Sequence, residues 1–178
     1  MAGLKPALVM QDCSLRPLEV RDFDAVGQLS RTIWLAHYVT IITTAQIEYM
    51  LSGRFSVENL RRYLHNSERW MDVLECDRSL VGYCSYAVTS VAGEMKLEQL
   101  YLLPQLHGRG FGRQMLEHVE RAARRQGMQR LVLQVNKRND KALAFYRRAS
   151  FTVREEAVFD VGQGYVMDDY VMVKDLTA

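Results

Sequence analysis

No apolar run in this chain approaches the roughly 20 residues needed to cross a bilayer, so no spanning helix is expected. Charge of one sign is also lacking. The net charge is +2 over 178 residues, too little to argue for nucleic acid or an anionic membrane as a partner. Cysteine is scarce: Cys13, Cys76 and Cys84 are odd in number and have no metal or redox spacing, which fits a reducing cytoplasm. Cys84 lies inside a strand pattern and reads as a buried structural thiol. Internal repeats, linkers and low-complexity tracts are absent too, and no metal ligand set is expected. The leader MAGLKPALVMQDC has no convincing cleavage site. It reads as a flexible tail, residues 1–13, before one domain over 14–178. The hydrophobic share of 48% and charged share of 25% are those of an ordinary soluble globular protein, and the length suits one domain with a proper core.

Apolar periodicity places the elements. A short strand is expected around Ser14–Leu18, then helical segments from about Asp22 to Leu64, where Val26, Leu29, Ile33 and Trp34 recur at helical spacing and Ser56 is a cap candidate. A hairpin follows, Trp70–Glu75 and Val81–Ser90 about a turn at Cys76–Ser79, and then a strand at Lys96–Leu103. The helix after it puts Phe111, Met115, Leu116, Val119 and Ala123 on one stripe, and Gly127 suits its end. Strand Arg130–Val135, helix Asp140–Ser150 and two terminal strands, about Phe151–Val161 and Tyr165–Lys174, complete one mixed α+β domain.

The most informative stretch is the junction between the strand ending near Leu103 and the helix ending near Gly127. Gly108, Gly110 and Gly112 sit where a period-2 pattern gives way to a 3.6-period one. Backbone N–H groups at a helix start are left free to hold a phosphate, and glycine tolerates the unusual angles and close approach such a loop needs. Two imitators fail. A dinucleotide fingerprint wants G-x-G-x-x-G and an acidic residue about 20 positions on, but the spacing here is G-x-G-x-G and the next strand ends at Asn136. The nucleotide-hydrolase loop needs Gly-Lys followed by Ser or Thr, which does not occur.

His107-Gly108-Arg109-Gly110-Phe111-Gly112 resembles the acyl-CoA loop of the GNAT N-acetyltransferase superfamily, which reads Arg or Gln, two free positions, Gly, one free position, then Gly or Ala. It departs only at His107. A second block, Asn139, Ala142, Phe145 and Tyr146, matches the N-x-x-A-x-x-F-Y pattern found after the fifth strand of that superfamily. The resemblance implies a single domain with a mixed, mostly antiparallel, twisted sheet of six to seven strands flanked by helices, its central strand pair splayed around acyl-CoA. It implies acetyl-CoA as co-substrate, bound through the backbone of Leu100, Tyr101 and Leu102, through the loop from His107 to Gly112 with Arg113, and through Asn136, Asn139, Ala142, Phe145 and Tyr146.

The chemistry needs a base, because an alkyl amine with a pKa near 10.4 is almost wholly protonated at neutral pH. Counted by two along its strand, Glu98 shares a face with Leu100 and Leu102, so burial in an apolar row would raise its carboxyl toward a useful range. Tyr146 is the matching acid for the departing thiolate. Covalent catalysis through Cys84 is the competitor, without an evident base partner. On the acceptor side the sequence offers Trp34, which reads as core, with Tyr38, Asp168 and Asp169 as substrate-binding candidates. Acids there would steer a cationic amine. The acceptor stays open among a polyamine or other small amine, a protein N-terminus or lysine, an aminoglycoside and an amino acid. A non-catalytic acyl-CoA sensor is the alternative. The expected partners are acetyl-CoA, a small amine and a second copy of the chain, with no nucleic acid and no membrane.

Overall fold

The computed structural model describes residues 12–177. Most of the expected tail, 1–11, lies outside them. One seven-stranded sheet carries the fold, in the order β1-β2-β3-β4-β5-β7-β6. Its strands are β1 (Cys13–Pro17), β2 (Arg69–Cys76), β3 (Ser79–Val88), β4 (Glu94–Leu102), β5 (Arg130–Asn136), β6 (Thr152–Gly162) and β7 (Tyr165–Asp175). Every neighbouring pair is antiparallel except β4 and β5. The helices are α1 (Phe23–His37), α2 (Thr44–Arg54), α3 (Val57–Arg61), α4 (Phe111–Arg125) and α5 (Asp140–Arg148).

Side-chain pattern sends the helices to opposite faces. The apolar stripe of α4 (Met115, Leu116, Val119, Ala123) joins Leu143 and Tyr146 of α5 in a core with Met95, Leu97, Leu131 and Leu133. On the other face Val26, Leu29 and Ile33 of α1 pack with Leu60 of α3 against Val73 and Tyr83, while Trp34 and Tyr38 meet Ile47 and Met50 of α2. Local chemistry sets the ends. Thr43 and Ser56 cap α2 and α3 by accepting from the N–H groups of Gln46 and Asn59. Past α4, Gly127 takes a left-handed φ of 72°, the conformation that ends a helix and favours glycine.

Two expectations are corrected. The first strand begins at Cys13 rather than Ser14, which removes that residue from the tail. Cys13 and Cys76, whose number and spacing offered no pairing, face each other across β1 and β2 and are joined as a disulfide. The spacing carried no sign of it because 63 positions separate the two in sequence and only strand register brings them together. Cys84 is the buried free thiol expected of it.

Candidate active site

The sheet is closed along its length except between β4 and β5. Their parallel pairing covers only Glu94–Leu97 against Arg130–Leu133. Beyond that point β4 keeps its β3 partners, with Cys84, Tyr83 and Gly82 opposite Leu100, Tyr101 and Leu102, but has none on the β5 side. β5 meanwhile follows β7, pairing Gln134, Val135 and Asn136 with Val171, Tyr170 and Asp169. The strands therefore splay, leaving an open backbone edge on β4 that can accept hydrogen bonds from, and donate them to, an extended amide-containing ligand. A cavity of about 840 Å³ occupies the opening.

At one end of the cavity stands the start of α4. Gly108 and Gly110 have φ of 78° and 88°, so both glycines serve the backbone conformation; a Cβ at either would meet open space. The first turn of α4 closes with the Gln114 N–H donating to Gly110 O at 3.0 Å, which leaves the N–H groups of Phe111, Gly112 and Arg113 without intrahelical acceptors. His107 turns back to the Leu102 carbonyl, its Nε2 lying 3.1 Å away. Asn139 caps α5, its Oδ1 accepting from the Ala142 N–H at 3.2 Å, and Phe145 closes over Gly112. Leu100, Tyr101, Leu102, His107, Gly108, Gly110, Gly112, Arg113, Asn136, Asn139, Ala142, Phe145 and Tyr146 all line the cavity, whereas Arg109 and Phe111 are not on its wall. Lys141 and Arg148 add positive charge at this end. Lys137 is committed to Glu156 and Asp168, 2.8 and 2.6 Å away. Arg138 donates to the carbonyls of Ile41 and Thr40, clamping the start of α5 to the α1–α2 connection.

Tyr146 stands between the two ends, its ring packed edge-on against Phe145 and Phe151 with centroids 5.1 and 5.6 Å away. Burial pushes its phenol up, and Tyr101 adds to the shift, so the group holds its proton at neutral pH and can act there as a hydrogen-bond donor.

Glu98 does not sit as expected. Pairing jumps from Ser85↔Gln99 to Tyr86↔Leu97, so Glu98 is the extra residue of a β-bulge, and the bulge inverts the alternation that put it in line with Leu100 and Leu102. Those leucines pack toward the α4 core. Glu98 instead accepts from Nε and Nη2 of Arg69 and from the Tyr63 hydroxyl, at 3.3 Å from the latter. It still lines the cavity, but as half of an ion pair.

The paired acids Asp168 and Asp169 separate. Asp168 faces away, against Lys137, and is not on the cavity wall. Asp169 is only 6% exposed and lines the cavity with Met167. Strand parity within YVMDDYVM could have told the two apart. Burial pushes the Asp169 carboxyl up to about 6, opposed by the Asn136 side chain, reinforced by Asp168 and opposed again by Lys96 and Arg54. Tyr38 is at the same end, its hydroxyl 2.9 Å from that of Tyr101, with Trp34 packed at a tilt against both rings. Sequence reading missed Arg54 and Lys96, which also line this end; a lysine on a strand otherwise half-buried was the available signal. Cys84 is off the wall, and burial and Asp72 push its thiol well up, which disfavours the thiolate a covalent route needs.

A splayed parallel strand pair, a glycine-bent helix start beside it and a buried tyrosine on the cavity wall make an arrangement suited to an acyl-CoA-dependent transferase. The comparisons agree. Residues 37–151 match the Acetyltransferase (GNAT) family, and the chain belongs to that family. It is 24% identical over 145 residues to the spermidine N(1)-acetyltransferase of Thermoplasma acidophilum, covering 79% of this chain and 89% of that protein. Over 89 residues it is 33% identical to the 5-NmdU N-acetyltransferase of Pseudomonas phage PaMx11, covering 50% and 61% of the two. In fold it is similar to the PaiA N-acetyltransferase of T. acidophilum, crystallised with coenzyme A, at a TM-score of 0.79 and 22% identity over 93% of this chain and 99% of that one. It is likewise similar to the ribosomal-protein-S18-alanine N-acetyltransferase of Escherichia coli, at a TM-score of 0.69 and 17% identity over 94% and 96%. No helix among the described residues is long and apolar enough to cross a membrane.

Proposed function

We propose that this acetyltransferase moves the acetyl group of acetyl-CoA to a primary amine by direct attack in a ternary complex. The observation that carries the reading is the open β4 edge from Leu100 to Leu102, flanked by the free N–H groups at the start of α4 and by Tyr146. In this reading the β4 backbone holds the pantetheine amides as an added strand would, and the α4 N-terminus holds the diphosphate. Lys141 and Arg148 supply further positive charge to the nucleotide. The thioester supplies an activated acetyl group; the chain supplies orientation and proton transfers. Tyr146 protonates the leaving thiolate. Glu98 and Asp169 are the two carboxylates at the acceptor end, and one of them accepts the amine's proton. The relative that acetylates spermidine supports a small amine as acceptor.

Acetyl-CoA is expected to raise the melting temperature by mass action on the folded state. Thiol should be released when a panel of primary amines is added, and hardly at all without them. Tyr146→Phe should lower turnover by roughly 10²-fold without changing the acetyl-CoA-induced shift. Acetyl-CoA binding with no transfer to any amine would overturn the reading in favour of a sensor.

A further inference from the structure

Asp169 is an expensive residue to keep where it is. It sits in β7 at the level of Asn136, three residues past the last β4–β5 pair, on the sheet face that also carries Met167 and turns toward α2. Its Oδ1 is buried and has no hydrogen-bond donor among the described residues. Lys96 and Arg54 influence it, yet neither forms an ion pair with it at 4.0 Å or less: Lys96 donates to Gln134 at 2.8 Å and Arg54 lies over the Trp34 ring. A buried carboxylate oxygen left without a partner costs stability, and a position on a ligand cavity wall is a reason to retain one. Glu98 lies on the same wall but differs in its partners, since Arg69 and Tyr63 occupy both of its oxygens.

We infer that Asp169, rather than Glu98, receives the acceptor's ammonium group and takes its proton. The inference rests on the proposed amine acetylation. The ammonium nitrogen carries three protons and the product amide keeps one. One proton passes to the Asp169 carboxylate and on to solvent, freeing the lone pair that forms the C–N bond. As the C–S bond breaks, its electron pair stays on sulfur, which takes the Tyr146 proton. The remaining nitrogen proton restores the phenol. Glu98 becomes a positioning residue, holding Arg69 and Tyr63 along the acceptor wall.

The groups acting on Asp169 are Asp168, which neighbours it in sequence but points to the other face, Asn136 on β5, Lys96 and Tyr101 on β4 and Arg54 on α2. With its carboxyl near 6, kcat/KM for a strongly basic amine should climb tenfold per pH unit below about 6 and level off above it. Asp169→Asn should remove that acid limb and lower the rate at pH 7 by roughly 10²-fold, its remaining activity rising toward the pKa of the amine, while Glu98→Gln keeps the limb. A second readout needs no acetyl-CoA. A carboxyl whose folded pKa lies above its unfolded one contributes stability below the unfolded value and loses it as pH rises through the folded one. Asp169→Asn should therefore melt higher than wild type at pH 7.5, with the gap narrowing as pH falls through about 6 and closing only near the unfolded value of 3.8.

An acid limb that persists in Asp169→Asn, or is lost in Glu98→Gln, overturns the assignment while leaving amine acetylation intact. A lower melting temperature for Asp169→Asn at every pH overturns it too, because it makes Asp169 a structural carboxylate. A variant that does not fold at all makes Asp169 structural in the same way and equally overturns the assignment. Failure to acetylate any amine while acetyl-CoA still binds overturns both readings together.

Discussion

At the end of the cavity proposed for the cofactor the available groups are mostly backbone: the unpaired edge of Leu100–Leu102, the free N–H groups that open α4 and the left-handed Gly108 and Gly110. At the acceptor end they are side chains: Tyr38 from the α1–α2 connection, Arg54 from α2, Lys96 and Glu98 from β4 and Asp169 from β7. A backbone-built end depends on conformation more than on side-chain identity. A side-chain-built end depends on identity and charge. One sheet thus carries a site whose two ends should respond to mutation in different ways.

At the backbone-built end the break is expected at Gly110. Its φ of 88° suits glycine, and the space beside it is open, so Gly110→Val strains the backbone without a clash in the fold. Strain of about 2 kcal/mol, relieved only by moving the loop, would weaken acetyl-CoA binding by about 30-fold, measured by calorimetry, while the protein still melts cooperatively. Unchanged affinity would mean the loop does not hold the cofactor.

Glu98→Gln should have a smaller effect. It leaves Arg69 half-partnered and loosens the acceptor wall, so kcat/KM for the amine should fall roughly fivefold, chiefly through KM, with acetyl-CoA binding unaltered. A loss near 10²-fold at pH 7 that shrinks as pH rises would return the base to Glu98 and make the acceptor end a β4 device.

The weakest effect on the site should come from the disulfide. Cys13 and Cys76 lie at the β1 edge of the sheet, three strands away from β4 for one and two for the other. Reduction should lower the melting temperature, since a link across 63 positions contributes up to about 4 kcal/mol on the chain-entropy account. The KM values for acetyl-CoA and amine should hold. A change in either would tie the far edge of the sheet to the cavity.

The cofactor end was legible in the sequence because its parts are contiguous there. The glycine loop and the Asn139-to-Tyr146 block are each written within eight residues, and a backbone conformation is specified by the residues that adopt it. The helices and strands followed from apolar periodicity for the same reason. What tertiary structure alone decided is which distant side chains meet. A single bulge residue turned Glu98 from an apolar row into the fork of Arg69. Strand parity sent Asp168 to Lys137 and Asp169 to the cavity. Register across 63 positions joined Cys13 to Cys76. Each depends on which face a residue takes and on what lies opposite it, and a one-residue shift reverses that face. Local sequence therefore determined the elements and the backbone-built half of the site, and long-range packing decided the charges of the other half.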